Sequence, residues 1–134
     1  MVLLSILFLI WETETMAQTP ISHCPASPNC VSSLLDEDES HKVLPFDFKQ
    51  TLEESQSSLQ KAIIDFERAS IVSKSSTYWK CEFRTQFFRL VDDVDFFFDV
   101  DSKKIHVRSA SRLGYSDLGT NRKRIDQLRE LYSR

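Results

Sequence analysis

Glycine is nearly absent from this chain: two in 134 residues, Gly114 and Gly119, both inside RSASRLGYSDLG (108–119). The shortage excludes glycine-rich phosphate loops, since neither G-x-x-x-x-G-K-[ST] nor G-x-G-x-x-G occurs. Cysteine is scarce too. Cys24, Cys30 and Cys81 do not make a metal site, because the C-x5-C pair has no second pair and His23 alone does not complete one. Positive charge is not in excess. A net charge of −3 gives no general reason to expect nucleic acid or an anionic membrane as partner.

Long apolar runs are lacking beyond the first eleven residues, ten of which are apolar. That run is too short to span a bilayer as a helix, which takes about 20 residues. It fits the apolar region of a signal peptide, yet has no Lys or Arg before it and no small-x-small cleavage site after it. The alternative makes Met16 the true start, with residues 1–15 an upstream extension. Either way, residues 1–20 are expected to stand apart from the fold.

What is present reads as one globular domain, with 41% apolar and 28% charged residues. Charge is unevenly placed: acid dominates at DEDE (36–39) and DDVDFFFDVD (92–101), base at NRKR (121–124). Residues 21–50 have little periodicity and form an extended arm. CPASPNCVSS is turn chemistry, DEDESHK reads as an exposed acidic loop, and VLPFDF (43–48), interrupted by Pro45, is an edge strand or a packing arm. A Cys24–Cys30 disulfide across the loop holding Pro25 and Pro28 is one expectation, for an oxidising compartment; two free thiols are another.

Residues 51–134 carry the regular elements. TLEESQSSLQKAIIDFE is a helix, with Thr51 and Glu54 at capping-box spacing and Leu52, Leu59, Ala62, Ile63 and Phe66 on one face. Period two follows. ASIVSKS is a short strand, and in YWKCEFRTQF the residues Trp79, Cys81, Phe83, Thr85 and Phe87 alternate inward. VDFFFDV turns Val94, Phe96, Phe98 and Val100 inward, and KIHVRSA does the same with Ile105 and Val107. NRKRIDQLRELYS places Asn121, Ile125, Leu128 and Tyr132 on one helical face, with Asp117 or Thr120 to cap its start. The expected fold is α+β in two layers, a four-stranded mainly antiparallel sheet with two helices on one face.

The two glycines join the last strand to the last helix. Gly114 is expected at positive φ, and Gly119 where a missing side chain allows close approach. Glycines alone more often shape a turn than a site. Their company favours a site: Ser111, Arg112, Tyr115, Ser116, Asn121 and Arg122 lie near a helix N-terminus, where free N–H groups attract anions. Pairing Val100 with Ile105 and Phe98 with Val107 leaves DSKK as the hairpin loop. Arg108 then lies opposite Phe97, within diagonal reach of Asp95 and Asp99, so these three are expected to be structural.

CPASPNCVSS, DDVDFFFDV and RSASRLGYSDLGTNRKRIDQLR resemble, in order, the domain of unknown function 1499 family over Cys24 to Leu131. The family has no established activity, so no catalytic residue carries over. The resemblance implies envelope or plastid (thylakoid) association, since similar members occur in bacteria beside membrane or signal sequences and in photosynthetic eukaryotes with chloroplast targeting. Without a genuine N-terminal signal the compartment would be the cytoplasm.

Two classes of function fit. The first is a non-enzymatic module that binds an anionic small molecule or a protein partner through Ser111, Arg112, Gly114, Tyr115, Ser116, Gly119, Asn121 and Arg122, with peripheral membrane association in view and no metal or cofactor. The second is a hydrolase or transferase using Cys30 or Ser111 with His106 or Asp117, although no nucleophile elbow is present. A third reading, an assembly factor at an envelope or photosynthetic membrane, differs from the first in its partner.

Overall fold

Alternation and capping translate into eight elements in the computed structural model, which describes residues 19–134. The expectations for a signal, anchor or upstream extension lie outside the described residues. In chain order the elements are β1 (Cys30–Ser32), β2 (Phe46–Asp47), α1 (Leu52–Asp65), β3 (Ala69–Lys74), β4 (Tyr78–Arg84), β5 (Val91–Asp99), β6 (Lys104–Ser111) and α2 (Thr120–Ser133). The strands form one antiparallel sheet, ordered β1-β6-β5-β4-β3, and β2 also pairs with β6. The sheet therefore has six strands where the sequence pattern gives four. Both extra strands come from the arm and are only two or three residues long, too short to show a period.

Alternation sets the core. Trp79, Cys81 and Phe83 on β4, Val94, Phe96 and Phe98 on β5, and Ile105 and Val107 on β6 are all buried on one face. Leu59, Ala62 and Ile63 of α1 and Ile125, Leu128 and Tyr132 of α2 close over them. Edge-on aromatic pairs knit the layers: Trp79 with Phe98 at 4.8 Å and Phe66 with Phe83 at 5.0 Å. Fully burying each such side chain is worth about 1.5–3 kcal/mol. Thr51 caps α1 by accepting the Glu54 N–H at 3.1 Å. Along β3 the pairing with β4 shifts between Ile71 and Ser73, a bulge that leaves Val72 exposed.

Three expectations are corrected. The β5–β6 hairpin is two residues out of the expected register: Phe98 faces Ile105, Phe96 faces Val107 and Asp95 faces Arg108. Asp99 Oδ1 accepts the N–H groups of Asp101 and Ser102, turning the chain early, and Lys103 closes the loop at φ +56°. Val100 therefore sits exposed in the loop rather than inward. An even shift keeps every side chain on its face, so the core is unaffected. Third, β4 ends at Arg84, and Phe87 is exposed rather than continuing the inward row.

Because neighbouring strands run in opposite directions, the end of β4, the starts of β5 and β1, the end of β6 and the start of α2 gather at one end of the sheet. The candidate site is at that end.

Candidate functional site

The two blocks CPASPNCVSS and RSASRLGYSDLG, some 80 residues apart in sequence, meet through Asn29. Its carbonyl accepts the Ser111 N–H at 3.0 Å and Asn121 Nδ2 at 3.1 Å, and its own Nδ2 donates to the Gly114 carbonyl at 2.7 Å. Asn121 is fully buried in the first turn of α2. Its Nδ2 faces Asn29 O, Ser111 Oγ and Asp117 Oδ2, while its Oδ1 accepts from Ser109 Oγ at 2.6 Å and Arg124 at 2.7 Å. Arg124 in turn pairs with Asp92, and both are buried. Buried polar groups of this kind hold only when every member is satisfied. The chain Asp92–Arg124–Ser109–Asn121–Asn29 meets that condition and fixes the floor beneath the loop.

Both glycines lie at positive φ, +84° for Gly114 and +79° for Gly119. A Cβ at either would meet nothing within 4 Å, so backbone conformation and not close approach requires them. Leu118, between them, is also left-handed at φ +53° and is 87% exposed.

The start of α2 is occupied by the protein itself. Asp117 accepts the N–H groups of Gly119 at 2.8 Å and Asn121 at 3.0 Å. Burial raises its carboxyl pKa, but the bonds from Asn121 and Gly119 outweigh that and hold it below the ordinary carboxylate value. The guanidinium groups expected to bind an anion are engaged as well. Arg122 donates to the carbonyls of Lys42 at 2.8 Å and Ser40 at 3.0 Å. Arg112 turns away to the outer sheet face and grips Asp93, by Nε and Nη2 at 2.8 Å, and Glu82 at 2.7 Å, which hold it charged. Ser116, Asp117, Gly119 and Arg122 line a cavity of about 170 Å³ against Pro28 and Ser40. Gly114 and Tyr115 stand exposed outside it, and Ser111 lies beneath it against Asn121.

Arg108 faces Asp95 across the strand pair, but among the described residues it forms no ion pair, and its Nε is buried without a partner. The expected bridge from Arg108 to Asp95 and Asp99 is therefore not formed. Asp99 instead lies 3.9 Å from His106.

The other chemistry-bearing groups are separated. Cys24 and Cys30 form a disulfide, with Cα atoms 5.6 Å apart. Cys81 is buried, and desolvation pushes its thiol up to about 12. His106 lies on the sheet face opposite Ser111, about 16 Å along the same strand at a strand's rise per residue. Its Nδ1 and Ser33 Oγ share a hydrogen bond at 3.3 Å.

The acidic loop is not simply exposed. Glu37 and His41 are buried. His41 donates from Nε2 to the Ser27 carbonyl at 3.0 Å and from Nδ1 to Asp38 at 2.8 Å, which requires the imidazolium. Glu37, Asp38 and His41 hold their ligand-type atoms within 4.8 Å of one another. Both ring nitrogens already have partners, however, and Glu37 accepts the Cys24 N–H, so these side chains clasp the arm rather than wait for a metal. A D-x-x-H spacing was the only sequence signal for this clasp.

Sequence reasoning missed a second feature. Six large apolar side chains stand exposed at this end: Leu113, Tyr115 and Leu118 on the glycine loop, and Phe87, Phe88 and Leu90 on the β4–β5 loop.

Comparison with curated proteins finds no match. Residues 20–131 match the family described as "Protein of unknown function (DUF1499)", which spans the arm, the sheet, the glycine loop and most of α2. The chain belongs to that family.

Proposed function

We propose that this chain is a non-enzymatic binding module whose recognition element is the 112–119 segment of the glycine loop. The observation that carries this reading is Leu118. A non-glycine residue in left-handed backbone costs about 1–2 kcal/mol, and at 87% exposure this leucine returns no burial to the fold. Strain of this kind supports a role outside folding. Leu113 and Tyr115 stand exposed on the same loop, which Asn29, Asp117 and Asn121 hold from below. The anionic small-molecule version is less well supported, because Arg112 and Arg122 already have protein partners and Asp117 fills the helix N-terminus. A hydrolase is less well supported still, with Cys30 in a disulfide and Ser111 far from His106.

The test separates folding from recognition. Leu118→Gly relieves strain, so its stability should equal or exceed that of the parent by up to about 1 kcal/mol. A photoreactive side chain at position 118 should give discrete adducts in the native cellular setting, whereas one at Val100, at the opposite end of the sheet, should not. Equal labelling from both positions would refute the reading.

A further inference from the structure

We infer that the loop end of the molecule seats on an anionic lipid surface, with Phe87 and Phe88 entering it. The inference rests on the reading of the glycine loop as a recognition element and names its partner.

The β4–β5 loop is tightly closed: Thr85 N–H donates to the Leu90 carbonyl at 2.9 Å, and Leu90 N–H donates to Thr85 Oγ1 at 3.0 Å. Inside that closure Arg89 takes φ +49°, and the adjacent Phe87 and Phe88 are 85% and 82% exposed. Two neighbouring phenylalanines on a braced turn contribute nothing to the core. A groove of about 340 Å³ lies between this loop and the first turns of α2, lined by Phe66, Phe87, Phe88, Arg84 and Lys123 among others. Its α2 side begins at Thr120, the residue that follows the glycine loop.

Charge selects the occupant. Arg112 is turned to the outer face onto Asp93 and Glu82, and Arg84 lies 4.0 Å from Glu82. Segments 84–90 and 117–123 otherwise carry Arg89, Arg122 and Lys123 against a single carboxylate, Asp117, in a chain whose net charge is −3. That carboxylate caps α2. Arg89 and Lys123 have no ion-pair partner among the described residues. Apolar loop tips with cations beside them match the layering of a membrane surface, with aromatic rings at the acyl boundary and cations among anionic headgroups. No helix among the described residues is long and apolar enough to cross a membrane; the tip enters the surface without spanning it.

The experiment is co-sedimentation of the full chain with phosphatidylcholine vesicles, with and without phosphatidylglycerol. Binding should require the anionic lipid and weaken with salt. Burying one phenylalanine is worth on the order of tenfold or more in an equilibrium constant. The double variant Phe87→Ser/Phe88→Ser should therefore bind about a hundredfold more weakly while melting at an unchanged temperature. Arg89→Glu/Lys123→Glu should abolish the preference for anionic lipid, and Val100→Ser, also surface-exposed but at the far end, should bind as the parent does. The apolar run at residues 2–11 is common to all these chains, so the differences report on the tip. Undiminished binding by the phenylalanine variant overturns the inference, as does absence of vesicle binding. Self-association of the parent that the same variant loses would also overturn it, making the patch a contact between copies. Adducts at position 118 would persist in each of those cases if the binding-module reading is right, and vanish if that reading is what fails.

Discussion

At the scale of the residue, Asn121 concentrates the most structure in the fewest atoms. It links the arm, the last strand and the start of α2 from a fully buried position. Truncation leaves several buried partners short of a hydrogen bond, each costing about 1–3 kcal/mol. Asn121→Ala should lower the unfolding free energy by about 2–4 kcal/mol in denaturant titration. A change under ~1 kcal/mol would mean that water replaces the amide. Gly114 acts differently, through backbone alone. With open space around its Cα, Gly114→Ala should cost about 1–2 kcal/mol from the left-handed φ and nothing from a clash. The positive φ of Gly114 was readable from sequence, because only glycine adopts it freely in a polar strand-to-helix turn. The helical period put Asn121 on the inward face with Ile125, Leu128 and Tyr132, but not what it meets there: its partners Asn29 and Ser109 are 92 and 12 residues away. A polar side chain at a helix N-terminus looks the same in sequence whether it meets a ligand or the protein.

At the scale of the element, the arm is held by a titrating clasp. The bond to Asp38, followed by that to Ser27, raises the His41 pKa above the ordinary 6.5. Bonds from Ser40 and then His41 lower Asp38 to about 2. The signs are opposite. The histidine's contribution is complete below its unfolded pKa and is lost as pH rises through the raised folded value. The aspartate's is complete above its unfolded pKa, about 3.9, and is lost as pH falls toward 2. The arm is thus held best between about pH 5 and the ordinary histidine value of about 6.5, and the histidine's share fades as pH rises from there through the folded pKa of His41. An NMR titration of the His41 ring should give a pKa above 6.5, and Asp38→Asn should bring it down. An unshifted ring in the parent would contradict the clasp.

Other elements divide along the same line between local and distant information. The face of every long strand follows from its alternation, and both helices from three- and four-residue spacing. The hairpin register does not, because it depends on Asp99 turning back on Asp101 and Ser102, and that turn looks like strand until its side chain is seen. Phe87 fits the period of β4 equally well on paper, yet the closure between Thr85 and Leu90 takes it out of the strand.

At the scale of the whole molecule, one core is overlaid by an arm that adds Val31, Val43 and Phe46 to it and is braced within itself by a disulfide. The Cys24–Cys30 disulfide closes a short loop and should contribute about 2 kcal/mol through the unfolded chain. Reduction should therefore lower the melting temperature by several degrees. It should raise amide exchange in residues 24–43 first, while the Cys81 thiol stays unreactive until global unfolding. Rapid native alkylation of Cys81 would mean that the sheet opens with the arm.

The bulge between Ile71 and Ser73 has a further consequence. β6 is flanked along its outer side by β1 and β2, which leaves β3 as the uncovered rim of the sheet. A rim of free N–H and C=O groups is a template on which another chain can add a strand, and repeated addition produces fibres. The extra residue at Val72 breaks the even spacing such addition needs, and Lys74 places a charge at the end of the same strand. Along β3 the sheet therefore resists extension: copies crowded together meet a kinked, charged rim rather than an even one.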